Sequence, residues 1–234
     1  MRLIGNTVAA TALLGTLAMA PAACSVVSSN AEAPFHQTAP AAPMLEIHNT
    51  AGSVDVVPWN DPSIRIEAIR RGPSVSDAQA IAIEVRREGS TLVVRADFGE
   101  SIGNRNVFFT IHAPPKTALN VDETAGTVDV RAWTGSLDVS QTAGNVSVDM
   151  ARLDAPQHLT IHTVTGNVDL TLPSASNATV DASATVGSVS SGFPLNVQRQ
   201  NLTGASGDGS IGRGGAPVEL RVTTGAISIH RRSR

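Results

Sequence analysis

Thr50-Ala51-Gly52-Ser53-Val54-Asp55-Val56-Val57-Pro58-Trp59 recurs as Thr124-Ala125-Gly126-Thr127-Val128-Asp129-Val130-Arg131-Ala132-Trp133, and both tryptophans of the chain stand seven residues after the repeat glycine. Shorter versions follow at Thr134-Gly135-Ser136-Leu137-Asp138-Val139, Thr142-Ala143-Gly144-Asn145-Val146-Ser147-Val148, Thr165-Gly166-Asn167-Val168-Asp169-Leu170, Thr185-Val186-Gly187-Ser188-Val189 and Thr224-Gly225-Ala226-Ile227-Ser228-Ile229. From Gly126 onward these glycines are 9, 9, 22, 21 and 38 residues apart. A coil of roughly 18 to 22 residues, holding two or more short strands, accounts for most of that spacing.

Glycine at each corner allows positive φ, which turns between stacked coils commonly require. The Val-x-Val that follows sets two β-branched side chains on one face and a small polar residue on the other. One coil cannot bury its own apolar face, so the coils must stack, with a Val/Ile ladder inside and an Asp/Ser/Thr ladder outside.

Outward from the repeats the period stays at two residues, as in half-buried strands. Leu45-Glu46-Ile47-His48 and Ile64-Arg65-Ile66-Glu67 alternate, and Ile81 to Arg87 with Thr91 to Ala96 reads as a hairpin through Glu88-Gly89-Ser90. A strand from Val107 to His112 is stopped by Pro114-Pro115, because proline cannot donate to a ladder. Ser76 to Ala80 is a short helix start with Ser76 as cap.

The N-terminus has the layout of a secretion signal: Arg2, an uncharged Ala/Leu-rich run from Val8 to Ala20, then small residues at Ala22-Ala23. That run is too short to span a bilayer, which takes ~20 residues. Ala22-Ala23-Cys24 resembles the end of a bacterial lipoprotein lipobox, although Pro21 stands where an aliphatic residue is usual. The resemblance implies that Cys24, the sole cysteine, is lipidated after the signal is removed. Residues 25 to 43 are small, Ser/Ala/Pro-rich and without period, the composition of a tether. The expected organisation is a signal peptide over 1–23, a disordered tether over 24–43 and one all-β domain over 44–232.

Composition narrows the core and the partners. Aromatics are 3% and there is no Tyr, so the core is aliphatic. A formal charge of −3, with Lys116 the only lysine, argues against nucleic acid, which calls for a clustered basic surface. The basic stretch Arg231-Arg232-Ser233-Arg234 reads as a solvated end.

The repeats, the order strand, hairpin, strand ending in Pro (Phe108 to Pro114), and the closing Gly-rich turn and strand from Ser210 to Ile229 resemble the DUF4097 family of adhesin-like bacterial proteins over roughly residues 44 to 230. The resemblance implies an all-β, β-solenoid or β-helix-like stack of short Gly-cornered strands on an exported or membrane-linked protein. It brings no catalytic motif.

Several residues are of types that could carry chemistry. Gly207-Asp208-Gly209-Ser210-Ile211-Gly212 spells G-x-G-x-x-G, which signals a dinucleotide only between strand and helix; here it reads as a long turn. His158 and His162 lie ~13 Å apart if on one strand face, too far to share zinc. Asp55, Asp129, Asp138 and Asp169 recur at one repeat position, where a solvated face competes with a weak Ca²⁺ or cationic-ligand stripe; Ser147 and Ser228 interrupt the series and favour the former. Asp129 with Arg131 is the pairing a polysaccharide-cleaving β-helix enzyme would use. Trp59 and Trp133 read as corner fillers, with a sugar-stacking platform as the other reading. The expectation is therefore no catalytic residue, no cofactor and no metal site. The expected function is a non-enzymatic envelope lipoprotein for adhesion or scaffolding, bound to the membrane through Cys24 and to a glycan or envelope protein. A sensory domain in envelope stress signalling and a polysaccharide-acting enzyme remain the alternatives.

Overall fold

The computed structural model describes residues 30–99, 103–200 and 203–232. The expected signal peptide and Cys24 lie outside them. In chain order the elements are β1 (Ala31–Pro40), β2 (Met44–Pro58), β3 (Ser63–Gly72), α1 (Val75–Ala80), β4 (Ala82–Glu88), β5 (Thr91–Asp97), β6 (Asn106–Ala113), β7 (Ala118–Trp133), β8 (Leu137–Met150), β9 (Leu159–Pro173), β10 (Ala178–Ser191), β11 (Asn196–Gln200), β12 (Gly204–Ile211) and β13 (Ala216–Arg232).

Six of these strands carry a glycine at the middle, and the burial pattern shows what it does. In β2 the buried positions are Leu45, Ile47 and Asn49, then Val54 and Val56. Strict alternation from Asn49 would bury residues 51, 53 and 55, so the inward phase slips at Gly52 and the chain turns a corner there. The same slip occurs in β7, β8, β9 and β13. Each long strand thus has two arms, one before and one after its glycine, and both point aliphatic residues to a common core. Val54, Val128, Val146, Val168, Ile227 and Val189 form one continuous row across six strands. Each is at most 7% exposed, which contributes roughly 1.5–3 kcal/mol per side chain.

The sequence expectation of a Gly-cornered, solenoid-like β stack holds, with three differences. The strands run through the corner, 14 to 17 residues long in the six cases, instead of breaking into short pieces. Gly135 does not belong to the corner series; it sits in the β7–β8 connection, where a Cβ would fall 2.2 Å from the Thr117 carbonyl oxygen. The strand order is β1-β3-β6-β2-β7-β8-β9-β13-β10-β12-β11, with β4-β5 flanking β2. β13 is the last strand in the chain yet lies inside the stack, parallel to both β9 and β10. Each of its arms offers the same inward pattern as its neighbours, so spacing along the chain could not distinguish an end position from an inserted one.

Residues 31–40, expected in the tether, instead form β1, paired antiparallel with β3. Ala33 and Ala39 are buried and Phe35 packs on the core. Pro34 and Pro40 gave this stretch its tether-like composition, and an edge strand tolerates them. The β4–β5 hairpin is as expected. The helix cap is Ser74, whose hydroxyl accepts from the Asp77 N–H at 3.1 Å; Ser76 lies within the first turn.

Candidate functional site at the glycine corner

The corner glycines form a column. Gly52, Gly126, Gly144 and Gly166 pair in register from strand to strand, and Gly187 pairs with Gly225. A Cβ on Gly144 would lie 1.7 Å from the Gly126 carbonyl oxygen, and one on Gly225 equally close to that of Gly166. No side chain fits, so from Gly126 onward each of these strands rests on the glycine backbone of a neighbour.

Behind this column runs a feature that sequence reasoning missed. The residue three before each corner glycine points inward, where the alternation demands an aliphatic side chain, yet in four adjacent strands it is polar: Asn49, Glu123, Gln141 and Thr163. All four are at most 4% exposed. The signal stands in the repeats as an N, E, Q, T series at a fixed offset from glycine. The Asn49 amide donates to the Val107 carbonyl at 3.2 Å, and the Gln141 amide donates to the Gly126 carbonyl at 2.9 Å. Neither carboxylate oxygen of Glu123 has a hydrogen-bond partner. Burial pushes this carboxyl up to about 7 from an ordinary 4.5, while the nearby Asn49 amide and Ala125 N–H pull the other way.

Outside this row lies a groove of about 250 Å³ that reaches Glu123 between His48, Asp122, Arg95 and the threonines Thr50, Thr124 and Thr142. His48 spans two carboxylates, with Nε2 2.6 Å from Glu46 and Nδ1 3.0 Å from Asp122.

The expected site residues are spread over both outer faces. Asp55 and Asp129 are direct cross-strand partners, and Arg131 reaches both, at 3.6 and 3.2 Å. Burial raises the Asp55 pKa, Arg131 lowers it and Asp129 adds to the rise. The guanidinium thus occupies the bridging role that a cation stripe would give to an ion. Asp129 pairs with Ser147, which pairs with Asp169, and Asp169 faces His230 at 3.5 Å. Asp138 is not in this row. It pairs with Asn120 and Thr160 on the other arm, because Gly135 before it is no corner, and it contacts His158 at 3.1 Å. His162 turns to Glu219 at 3.9 Å, so the two histidines have separate partners. Among the described residues no group of three or more His, Cys, Asp or Glu is placed to hold a metal ion.

Gly207-Asp208-Gly209-Ser210-Ile211 is a strand and not the long turn expected, with only Gly212 beyond it. A glycine-rich strand lets neighbours come close: a Cβ on Gly207 would lie 3.1 Å from the Val189 side chain, one on Gly209 3.2 Å from that of Leu195. The two tryptophans part company. Trp133 is fully buried and its indole N–H donates to the Thr117 carbonyl at 3.1 Å, a corner filler. Trp59 is half-buried, with the Arg65 guanidinium 5.0 Å from its ring centre and the His112 ring 5.6 Å away. It borders a groove of about 470 Å³ with Pro62, Pro114, Pro115, Asn60, Asp61 and Lys116. In the basic stretch Arg231 stacks over Phe193 at 4.8 Å and Arg232 bonds to Asp149.

Comparison with known proteins follows the fold. No curated protein matches the sequence. A solved structure from Clostridium sporogenes, described as a "putative cell adhesion protein", aligns over 86% of this chain and 100% of its own, with a TM-score of 0.57 and 15% identity. One described as a "putative adhesin" from Bacteroides fragilis aligns over 86% and 97% at 14% identity, with a TM-score of 0.33. The first likeness is one of fold. The family profile of Toastrack DUF4097 matches residues 113–230, which takes in β7 to β10 and β13 with their glycine column, and the chain belongs to that family.

Proposed function

We propose that this chain is a non-enzymatic envelope module, held to a membrane by a lipid on Cys24, that presents its stacked sheet for adhesion or scaffolding. The observation that carries this reading is the in-register glycine column. It fixes the strands at about 4.8 Å spacing, so the outward Asp, His, Arg and Thr side chains stand in regular rows on a rigid support. Such a face suits a partner that itself repeats, and the Trp59 groove supplies a flat aromatic and proline surface beside Asn60 and Asp61, suited to a sugar ring. Among the described residues no helix is long and apolar enough to cross a membrane.

The test is a glycan array probed with residues 30–234, a fragment that keeps β1, beside a pull-down from envelope extract. Glycan binding that Trp59→Ala abolishes supports the reading. Release of a hydrolytic product from any glycan overturns it. Labelling of cells with a palmitate analogue, compared between wild type and Cys24→Ala, tests the anchor: equal label in both removes it.

A further inference from the structure

We propose that the corner holds Glu123 as the neutral acid, its carboxyl O–H donating to the Gly52 carbonyl, so that the cohesion of β7 with β2 depends on one bound proton. Neighbouring strands present equivalent side chains to the column. On β8, Gln141 Nε2 lies 2.9 Å from where a Cβ on Gly144 would be, and it donates to Gly126, the column residue of the preceding strand. On β7, Glu123 Oε1 lies 2.8 Å from where a Cβ on Gly126 would be, and the column residue of the preceding strand is Gly52. On β2, Asn49 donates to Val107, which pairs with Gly52 on the other side. Asn49 and Gln141 thus each donate a side-chain N–H to a backbone carbonyl of a neighbouring strand. Between them, at the equivalent position of β7, Glu123 brings an acid oxygen in place of the N–H.

An ionised Glu123 would set an acceptor against an acceptor in a site 2% exposed, which is unfavourable on both electrostatic and desolvation grounds. A protonated one supplies the missing donor. The Gln141 bond is direct, and at Glu123 the acid oxygen and the Gly52 carbonyl oxygen both stand within 3 Å of where a Cβ on Gly126 would be. The strands that flank β7 place uncharged Asn49 and Gln141 beside the acid, and the ionisable groups that share its groove are Asp122, His48 and Arg95. Asp122 favours the neutral form, Arg95 opposes it, and the groove gives protons access.

The sign follows from linkage. The folded value of about 7 lies above the ordinary 4.5, so the folded chain holds the extra proton between these values. This contribution is complete below pH 4.5, is lost as pH rises to about 7, and stays lost above it. At tenfold per pH unit the folding equilibrium constant falls by up to about two orders of magnitude across that window.

The experiment is urea unfolding of the full chain at a series of pH values for wild type and Glu123→Gln, which mimics Gln141. Wild type is expected to lose stability relative to Glu123→Gln from pH 4.5 to 7 and to run parallel to it above. An identical pH profile for the two proteins overturns the proposal. So does stabilisation at pH 8 by added Ca²⁺ or K⁺ in wild type but not in Glu123→Gln, which would make the occupant a cation. Should Glu123→Gln fail to fold, the carboxyl ¹³C resonance of Glu123 in the wild type decides: a titration midpoint near neutrality supports the proposal, and one near 4.5 overturns it.

Discussion

Gly166 rests on Gly144 so closely that a Cβ on the first would stand 1.5 Å from the carbonyl oxygen of the second. Its φ of +146° is also one that side-chain-bearing residues rarely adopt. Neither strain can relax without separating β9 from β8. Gly166→Ala is therefore expected to cost about 4 kcal/mol or more, or to prevent folding. Gly89, at φ +60° in the β4–β5 turn, has nothing within 4 Å of a built Cβ, and Gly89→Ala should cost only about 1–2 kcal/mol. Urea midpoints of the two variants test the contrast.

The tryptophans should separate stability from binding. Trp133→Ala empties a fully buried site and leaves the Thr117 carbonyl without its donor, an expected loss of about 3–5 kcal/mol. Trp59→Ala removes a half-buried ring, its contact with Arg65 and its N–H bond to the Ser63 carbonyl, about 1–2 kcal/mol, and should act on ligand binding first. Equal losses of stability would contradict the different burial of the pair.

The helix cap gives a smaller, local test. Ser74→Ala deletes the acceptor for the Asp77 N–H and should cost about 1 kcal/mol. Ser76→Ala, one turn position further in, should fall within about 0.5 kcal/mol of wild type. Thermal unfolding of both variants shows which serine holds the cap.

Arg131→Met should raise the Asp55 titration midpoint further, because burial and Asp129 then act on it without the guanidinium that opposes them. An acid raised in the folded state favours folding at low pH and loses that contribution as pH climbs through its folded value. Arg131→Met should thus become less stable than wild type as pH rises above the ordinary 3.8. Carboxyl ¹³C titration of Asp55 in both proteins measures it.

Gly-x-Val-x-Val made the stack legible, since glycine spacing and period-two alternation are both local signals. The interior position of β13 was not legible: its register against β9 and β10 is set by partners at long sequence separation. β1 was missed because Pro34 and Pro40 resemble linker residues until β3 is known to pair with them. Asp138 was misplaced because Gly135 follows threonine as Gly166 and Gly225 do, yet packs on Thr117 and not on the column. The polar row behind the column needed no long-range knowledge. Asn49, Glu123, Gln141 and Thr163 stand at one offset from their glycines, and aligning the repeats on that offset would have exposed them.

The place of β13 between β9 and β10 has a consequence for assembly. β10 has no parallel neighbour until a segment that follows it in the chain has threaded in beside it, so the sheet cannot be laid down strand after strand as the polypeptide emerges. Removing β13 would not trim the protein at one rim; it would cut the architecture in two. The residues around Ile227 act as a keystone, and the molecule stays incomplete at its centre until they arrive.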